Sequence, residues 1–129
     1  MNTKELGAGK PALTILVAED EVLVRHDISE YLRSQGYAVV EANSAAEAIQ
    51  VLKDSIDVTA VFTDVRMPGI VDGLDLARYV QSHHPDVPVI ITSGHVKPAD
   101  IPAELGPIIE KPYKPVDVLE AIKSKLQKN

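Results

Sequence analysis

The sequence contains no cysteine and no tryptophan, and only 4% of its 129 residues are aromatic. The absence of cysteine excludes disulfide bonds, thiolate metal sites and cysteine nucleophiles, so reactive chemistry must come from oxygen and nitrogen groups. No apolar run approaches the roughly 18 to 20 residues needed to cross a bilayer. The N-terminal stretch MNTKELGAGKPALT has no apolar signal core. We therefore expect a cytoplasmic protein without a membrane partner.

Positive charge is also scarce, because 13 lysines and arginines face 19 acidic residues and leave a net charge of −6. Domains that bind nucleic acid usually carry a basic patch that neutralises phosphates, so we expect no nucleic-acid partner. The length is near that of one domain, and 45% hydrophobic residues is typical of a globular chain. We expect a flexible tail over residues 1–12 and one folded domain over residues 13–129.

Short apolar runs alternate with segments of helical period, which is typical of an α/β domain with a parallel sheet. Pro98 and Pro102 limit any helix before the last run to one or two turns. A capping box at Ser44 and Glu47 marks the start of the second helix. The predicted strands lie at residues 14–18, 37–41, 57–63, 87–92 and 107–110, and two of the predicted helices lie at residues 72–82 and 115–127.

Polar side chains collect where four of these predicted strands end. The first strand is followed by Glu19-Asp20-Glu21, the third ends at Asp64, the fourth at Ser93-Gly94 and the fifth at Lys111-Pro112. Ligands of open parallel sheets bind at the carboxyl ends of the strands, near the point where strand order reverses. We therefore expect these side chains to form one site.

The residue types at these strand ends favour phosphoryl chemistry. Clustered carboxylates repel one another and would not all stay ionised without a cation among them. Oxygen ligands without cysteine or histidine favour a hard ion, and Mg²⁺ often binds one or two carboxylates together with a phosphate oxygen. Lys111 supplies a charge, and Ser93 a hydroxyl, that suit a phosphoryl group. Such a set is suited to phosphoryl transfer to a carboxylate.

The motifs ILVAEDE, FTDVRMPG followed by DG, ITSG and EKPY occur in this order between about Leu13 and Leu126. Together they resemble the receiver domain of two-component response regulators. The resemblance implies a doubly wound (βα)₅ parallel sheet with strand order 2-1-3-4-5, here with a shortened fourth helix. It also implies that Asp64 is the phosphoacceptor and that Lys111 pairs with the phosphoryl oxygens.

Further residue roles follow from the same resemblance. Asp20 and Asp64 would bind Mg²⁺, Glu19 would act on the metal mainly through water, and the backbone carbonyl of Arg66 would complete the protein ligands. Ser93 would reorient towards the phosphoryl group. The peptide bond between Lys111 and Pro112 would be cis.

The resemblance implies protein partners rather than a small substrate. The phosphoryl donor would be a phosphohistidine on a sensor histidine kinase or a histidine phosphotransfer protein, and the output would be contact with a downstream protein. The resemblance also implies a homodimer, which in the family forms through the fourth helix, fifth strand and fifth helix. Because the chain ends at its final helix, we expect a stand-alone regulator, a relay shuttle or the receiver of a hybrid kinase.

Two other functions remain open on the sequence. A small Mg²⁺-dependent phosphatase could use the same aspartate, but such enzymes usually have a second aspartate two residues later, where this chain has Arg66. The domain could also be an interaction module that works without phosphorylation. We expect a signalling domain rather than an enzyme, because the whole set of site residues is present.

Besides the shortened fourth helix, the sequence departs from the family pattern in three places. Glu19 stands where aspartate is usual, and Gly69-Ile70-Val71 is one residue longer than usual, which predicts a bulged loop. Ile108 stands where an aromatic residue often couples to the site. We therefore expect switching through a weakly anchored fourth helix and the loop around His95, with His95 also tuning hydrolysis.

Overall fold

The five apolar runs form one parallel sheet in a computed structural model that describes residues 12–54, 56–94 and 96–127. The strand order is β2-β1-β3-β4-β5, which confirms the predicted order. Every neighbouring pair is parallel, and β1 pairs with both β2 and β3. The strands are β1 (Thr14–Ala18), β2 (Ala38–Ala42), β3 (Ala60–Asp64), β4 (Val89–Ser93) and β5 (Ile108–Glu110).

Helices cover both faces of this sheet. One face packs against α1 (Val22–Ser34) and α4 (Pro115–Leu126), and the other packs against α2 (Ala45–Lys53) and α3 (Gly73–His83). Because both faces are covered, every residue of β3 and β4 is buried. Continuous apolar runs are expected for such strands, since neither face meets water. The polar residues at the ends of β3 and β4 are therefore exceptions to an otherwise apolar core.

The N-termini of α2 and α3 are fixed by side-chain caps. Ser44 accepts a hydrogen bond from the Glu47 N–H at 3.1 Å, as the sequence predicts, whereas the Glu47 carboxylate accepts from Asn43 rather than from Ser44. At α3, Asp72 and Asp75 form a reciprocal capping box. Each cap satisfies backbone donors that a helix start leaves unpaired. The α3 box fixes where the loop after β3 enters its helix.

The segment between β4 and β5 contains two 3₁₀ turns, Pro98–Asp100 and Ala103–Leu105, in place of a regular fourth helix. The two prolines explain this outcome, since each removes a helical donor and restricts its neighbour. Ile101 and Leu105 are 4% and 6% exposed and pack into the core. The weak anchoring that we expected is therefore not seen at these two residues. His95 lies outside the described residues.

The predicted tail cannot be compared with the structure, because residues 1–11 lie outside the described ranges. The predicted boundary at residues 12 and 13 remains a prediction. Among residues 12–54, 56–94 and 96–127, no helix is long and apolar enough to cross a membrane.

Candidate functional site

The end of β1 places Glu19 inside the protein and Asp20 towards solvent. Glu19 is 2% exposed, and its carboxylate accepts a hydrogen bond from the Glu21 N–H at 3.1 Å. Burial raises the pKa of the Glu19 carboxyl, and the charge of Asp64 raises it further, against the lowering effect of the Glu21 N–H. A buried carboxylate of this kind is costly to ionise unless a cation lies beside it.

The end of β3 presents Asp64 beside a lysine. Asp64 is 7% exposed, and its Oδ2 atom lies 2.7 Å from the Nζ atom of Lys111. The backbone next to it is tied to the neighbouring strand, because the Val65 N–H donates to the Thr92 carbonyl at 3.1 Å. The Arg66 N–H donates a long hydrogen bond of 3.4 Å to Asp64 Oδ1. Asp64, which ends this buried central strand, is thus held at the carboxyl end of the sheet by its bonded neighbours.

Lys111 bridges the ends of two strands. Its Nζ atom lies 2.7 Å from Asp64 and 3.4 Å from the Oε1 atom of Glu19. Burial acts to lower the pKa of Lys111, but the hydrogen bond and charge of Asp64, with those of Glu19, outweigh it and raise the pKa. The Lys111 N–H donates to the Ser93 carbonyl at 2.9 Å, and the Lys111–Pro112 peptide is cis, as predicted.

The three carboxylates form a site that fits a divalent cation. One oxygen each from Glu19, Asp20 and Asp64 lies within 4.8 Å of the other two. One lysine opposes these three acids, so the cluster keeps an excess of negative charge. An all-oxygen donor set of this charge fits Mg²⁺. Arg66 is exposed, and the role of its carbonyl as a metal ligand remains a prediction.

Ser93 ends β4, the strand beside Asp64, but its hydroxyl is bound elsewhere. It is 3% exposed, donates to the Val96 carbonyl and accepts from the Val96 N–H at 3.2 Å. The structure therefore brings together four of the predicted side chains, and it places the Ser93 hydroxyl against the following turn. Its contact with a phosphoryl group remains a prediction.

An open cleft of about 950 Å³ is lined by Asp20, Asp64 and Lys111. One wall is the loop after β3, in which Gly69 has a φ angle of +116° and Ile70 is fully exposed. A positive φ angle is a conformation that glycine tolerates and most other residues do not. This backbone and the exposed Ile70 agree with the bulge predicted from the extra residue. The cleft is large enough to admit a phosphoryl group carried on a partner side chain.

Two residues near the site were missed by the sequence reasoning. Tyr113, two residues after Lys111, packs edge-to-face on Phe62 with ring centroids 5.6 Å apart. Burial raises the pKa of Tyr113 to about 12, and the charge of Glu19 adds to this effect. Arg25 donates to the backbone carbonyl of Glu19 at 2.9 Å. The EKPY motif contains the tyrosine, but no sequence signal pointed to the arginine.

Comparisons with known proteins agree with this geometry. Residues 15–123 match the family model of the response regulator receiver domain. The chain therefore belongs to the response regulator receiver domain family of two-component systems. A relative in Brucella abortus, the sensor kinase CckA, is 34% identical over 120 residues, covering 89% of this chain and 13% of the kinase.

Solved structures of receiver proteins share the fold. A response regulator receiver protein from Sinorhizobium medicae has a TM-score of 0.85 and 31% identity, covering 91% of this chain and 96% of the other. The Thermotoga maritima response regulator TrrA, solved with Mg²⁺ and BeF, has a TM-score of 0.80 and 25% identity, covering 88% of this chain and 99% of the other. The chain spans between 13% and 56% of the length of the curated relatives it matches. It is similar to the receiver portion of these proteins.

Proposed function

We propose that this receiver domain accepts a phosphoryl group on Asp64 from a phosphohistidine of a partner protein and signals by protein contact. The observation that carries the proposal is the placement of Asp64 Oδ2 at 2.7 Å from Lys111 Nζ, inside a cluster of three carboxylates. A lone acid at the end of a buried strand would be costly without such a partner. Lys111, beside the three carboxylates and a cation bound to them, would form a set suited to an incoming anionic group.

The transfer is a substitution at phosphorus. A carboxylate oxygen of Asp64 would form the new P–O bond while the P–N bond of the phosphohistidine breaks, and the leaving imidazole would take up a proton from water. Lys111 would pair with the phosphoryl oxygens after the bond to Asp64 has formed. Ser93 would donate a hydrogen bond to the same oxygens once its hydroxyl leaves Val96.

Glu19, Asp20 and Asp64 would hold Mg²⁺, with the Arg66 carbonyl as a further ligand. When bound, Mg²⁺ would neutralise charge on the carboxylates and the phosphoryl oxygens. The excess of negative charge in the cluster supports this assignment, because one lysine does not balance three acids. Positioning and charge neutralisation supply most of the catalysis in such transfers.

The partners we propose are a sensor histidine kinase or a histidine phosphotransfer protein upstream and a protein target downstream. The net charge of −6 supports a protein target rather than nucleic acid. We propose a cytoplasmic location, where two-component phosphotransfer takes place. We also propose that the domain catalyses only its own phosphorylation and dephosphorylation. The similarity to one segment of a sensor kinase and to single receiver proteins leaves both a hybrid kinase and a separate regulator as settings for this domain.

Output would come from the segment between Ser93 and Lys111. When the Ser93 hydroxyl turns towards a phosphoryl group, both of its hydrogen bonds to Val96 are lost. Val96 then loses its hydrogen bonds to the last side chain of β4, whereas Ile101 and Leu105 remain in the core. We propose that the first part of this segment reorders and that a dimer or target contact forms on this face.

The experiment that tests the proposal is incubation with Mg²⁺ and acetyl phosphate, followed by intact mass. We expect a gain of one phosphoryl group in the wild type and in Asp86→Asn, which changes an exposed acid preceding β4 at the opposite edge of the sheet. We expect no gain in Asp64→Asn, or in the wild type with excess chelator.

Other outcomes would reject the proposal in distinct ways. If folded wild type gained no mass either with acetyl phosphate or with a phosphorylated histidine phosphotransfer protein, the domain would be an interaction module. If it released phosphate from a small phosphate ester over many cycles, it would be a phosphatase. Equal labelling of Asp64→Asn and the wild type would show that another residue accepts the group.

A further inference from the structure

Arg25, in the first turn of α1, connects the ends of two strands. Its Nε atom donates to the Glu41 carboxylate at 3.1 Å, and its Nη1 atom donates to the Glu19 carbonyl at 2.9 Å. The side chains of Arg25 and Glu41 are 17% and 29% exposed. An ion pair shielded to this degree is screened less than one on the open surface. The guanidinium therefore has two fixed acceptors, one of which is backbone at the edge of the acidic cluster.

Four hydrogen bonds hold Glu19 among the described residues. Its N–H donates to the Ala42 carbonyl at 3.0 Å, its carboxylate accepts from the Glu21 N–H and from Lys111 Nζ, and its carbonyl accepts from Arg25. Two of these bonds have backbone N–H groups as donors, and the other two have side-chain donors. The bond from Arg25 is the side-chain bond that reaches the Glu19 backbone, so it can be removed by mutation while the chain's own backbone atoms are left unchanged.

The carbonyl that Arg25 binds belongs to the peptide unit that leads into Asp20. Because a peptide unit is planar, fixing its carbonyl also fixes its N–H and the start of the next residue. The carboxylates of Glu19, Asp20 and Asp64 repel one another before a cation is bound. A tie at this peptide opposes the rotation by which Asp20 could move away from the other two acids.

We infer that Arg25 is a positioning residue for metal binding. Its guanidinium, anchored by the Glu41 carboxylate, fixes the peptide between Glu19 and Asp20 so that both carboxylates stay beside Asp64. The inference rests on the proposed function, because it concerns Mg²⁺ at the same site. Hydrogen-bond partners of metal-binding groups commonly change metal affinity by about 10- to 100-fold when they are removed. A similar loss is the expected effect here.

Arg33 provides a matched control on the same helix. It pairs with the other Glu41 oxygen at 3.1 Å and also donates to Glu30 and to the Val39 carbonyl. Arg33 thus links α1 to β2, as Arg25 does, and within the described part of the chain it makes no hydrogen bond or ion pair with Glu19. A loss of packing or of charge between α1 and β2 would appear in variants of both arginines.

The experiment titrates the whole chain with MgCl₂ alone and follows amide resonances of Asp20 and Asp64, with thermal unfolding measured in chelator. We expect Arg25→Met to raise the Mg²⁺ dissociation constant at least about tenfold and to shift the Asp20 amide in the metal-free protein. Arg33→Met should change the constant by less than about twofold, although it lowers the melting temperature comparably. Arg25→Lys should recover only part of the affinity, since an ammonium lacks the planar fork that reaches both acceptors.

Each other result decides between the two proposals. If the wild type bound no Mg²⁺ at millimolar concentrations, the metal site of the proposed function would fail and this inference with it. If the wild type bound Mg²⁺ and both methionine variants matched it, the role of Arg25 alone would be wrong. If Arg25→Met did not fold, wild-type affinity in Arg25→Lys would overturn the inference, and weakened affinity in a folded Arg25→Lys would support it.

Discussion

The Cα atom of Gly73 lies so close to Asp64 that a Cβ atom added there would be 1.8 Å from the Asp64 carbonyl oxygen. The contact is between two backbone segments, because the Gly73 N–H also donates to the Val65 carbonyl at 2.9 Å. The first residue of α3 therefore rests directly on the backbone of the proposed phosphoacceptor. No side chain fits between them, so the start of α3 and the end of β3 must move together.

Gly73→Ala is expected to destabilise the fold by about 3 kcal/mol or more, because the clash involves backbone that cannot rotate away. Gly36→Ala is the control, since Gly36 has a φ angle of +97° but nothing within 4 Å of an added Cβ. That variant should lose only about 1 to 2 kcal/mol through its backbone conformation. Urea unfolding measures both. Equal losses of unfolding free energy in the two variants would show that the start of α3 can move away from Asp64 at little cost.

Glu19→Gln should stabilise the metal-free protein at neutral pH and weaken its Mg²⁺ binding. The Glu19 carboxyl has a raised pKa, chiefly because it is buried, so its ionisation costs folding free energy. Gln removes that charge at about the same volume, and we expect a gain of about 1 kcal/mol in chelator. Saturating Mg²⁺ should reverse the order, because the ion stabilises only the form that binds it.

The pH dependence of this difference has a fixed sign. A carboxyl whose pKa is raised in the folded state costs least below its ordinary value of 4.5 and most above the raised value. The advantage of Glu19→Gln should therefore be small at acidic pH and grow as the pH rises towards neutrality. Urea unfolding in chelator at several pH values measures it. An advantage that shrank with rising pH would contradict the burial argument.

Tyr113 should titrate far above an ordinary tyrosine. Burial is the main cause that raises its pKa to about 12 from 10.0. The stabilisation linked to this shift is complete below the unfolded value of 10.0 and is lost as the pH rises through about 12. The ultraviolet titration of the wild type minus that of Tyr113→Phe should show a midpoint near 12. The same difference recorded in strong denaturant should fall to about 10, and a native midpoint near 10 would show that the ring is not shielded.

The site was predictable from sequence to the extent that strand ends were. Apolar runs located β1, β3 and β5, and in a parallel sheet the ends of such runs meet at one edge, which brings Glu19, Asp64 and Lys111 together. Pro98 and Pro102 predicted a shortened fourth helix, and the structure has two 3₁₀ turns there.

Three-dimensional contacts account for what the sequence did not predict. Arg25 meets Glu41 across 16 residues, and no local period records such a pairing. The approach of Gly73 to Asp64 depends on how α3 settles on the sheet. The direction of the Ser93 hydroxyl depends on the backbone of Val96, three residues on. Side-chain rotamers at strand ends are selected by such neighbours, which sequence patterns do not describe.

The link between Ser93 and Val96 yields a prediction about the switch. The Val96 N–H donates to the Ser93 hydroxyl at 3.2 Å, and the same hydroxyl donates to the Val96 carbonyl. Ser93→Ala removes both bonds, so amide exchange at Val96 should rise about tenfold, which corresponds to the loss of roughly one hydrogen bond.

Beryllofluoride with Mg²⁺ should cause a similar rise in amide exchange at Val96 in the wild type if Ser93 turns towards the phosphoryl position. The amides of Ile101 and Leu105, which are buried, should change little in either case and act as the internal control. Unchanged exchange at Val96 in beryllofluoride, in protein shown by mass to bind it, would mean that the serine stays with Val96 and that output leaves the site by another element.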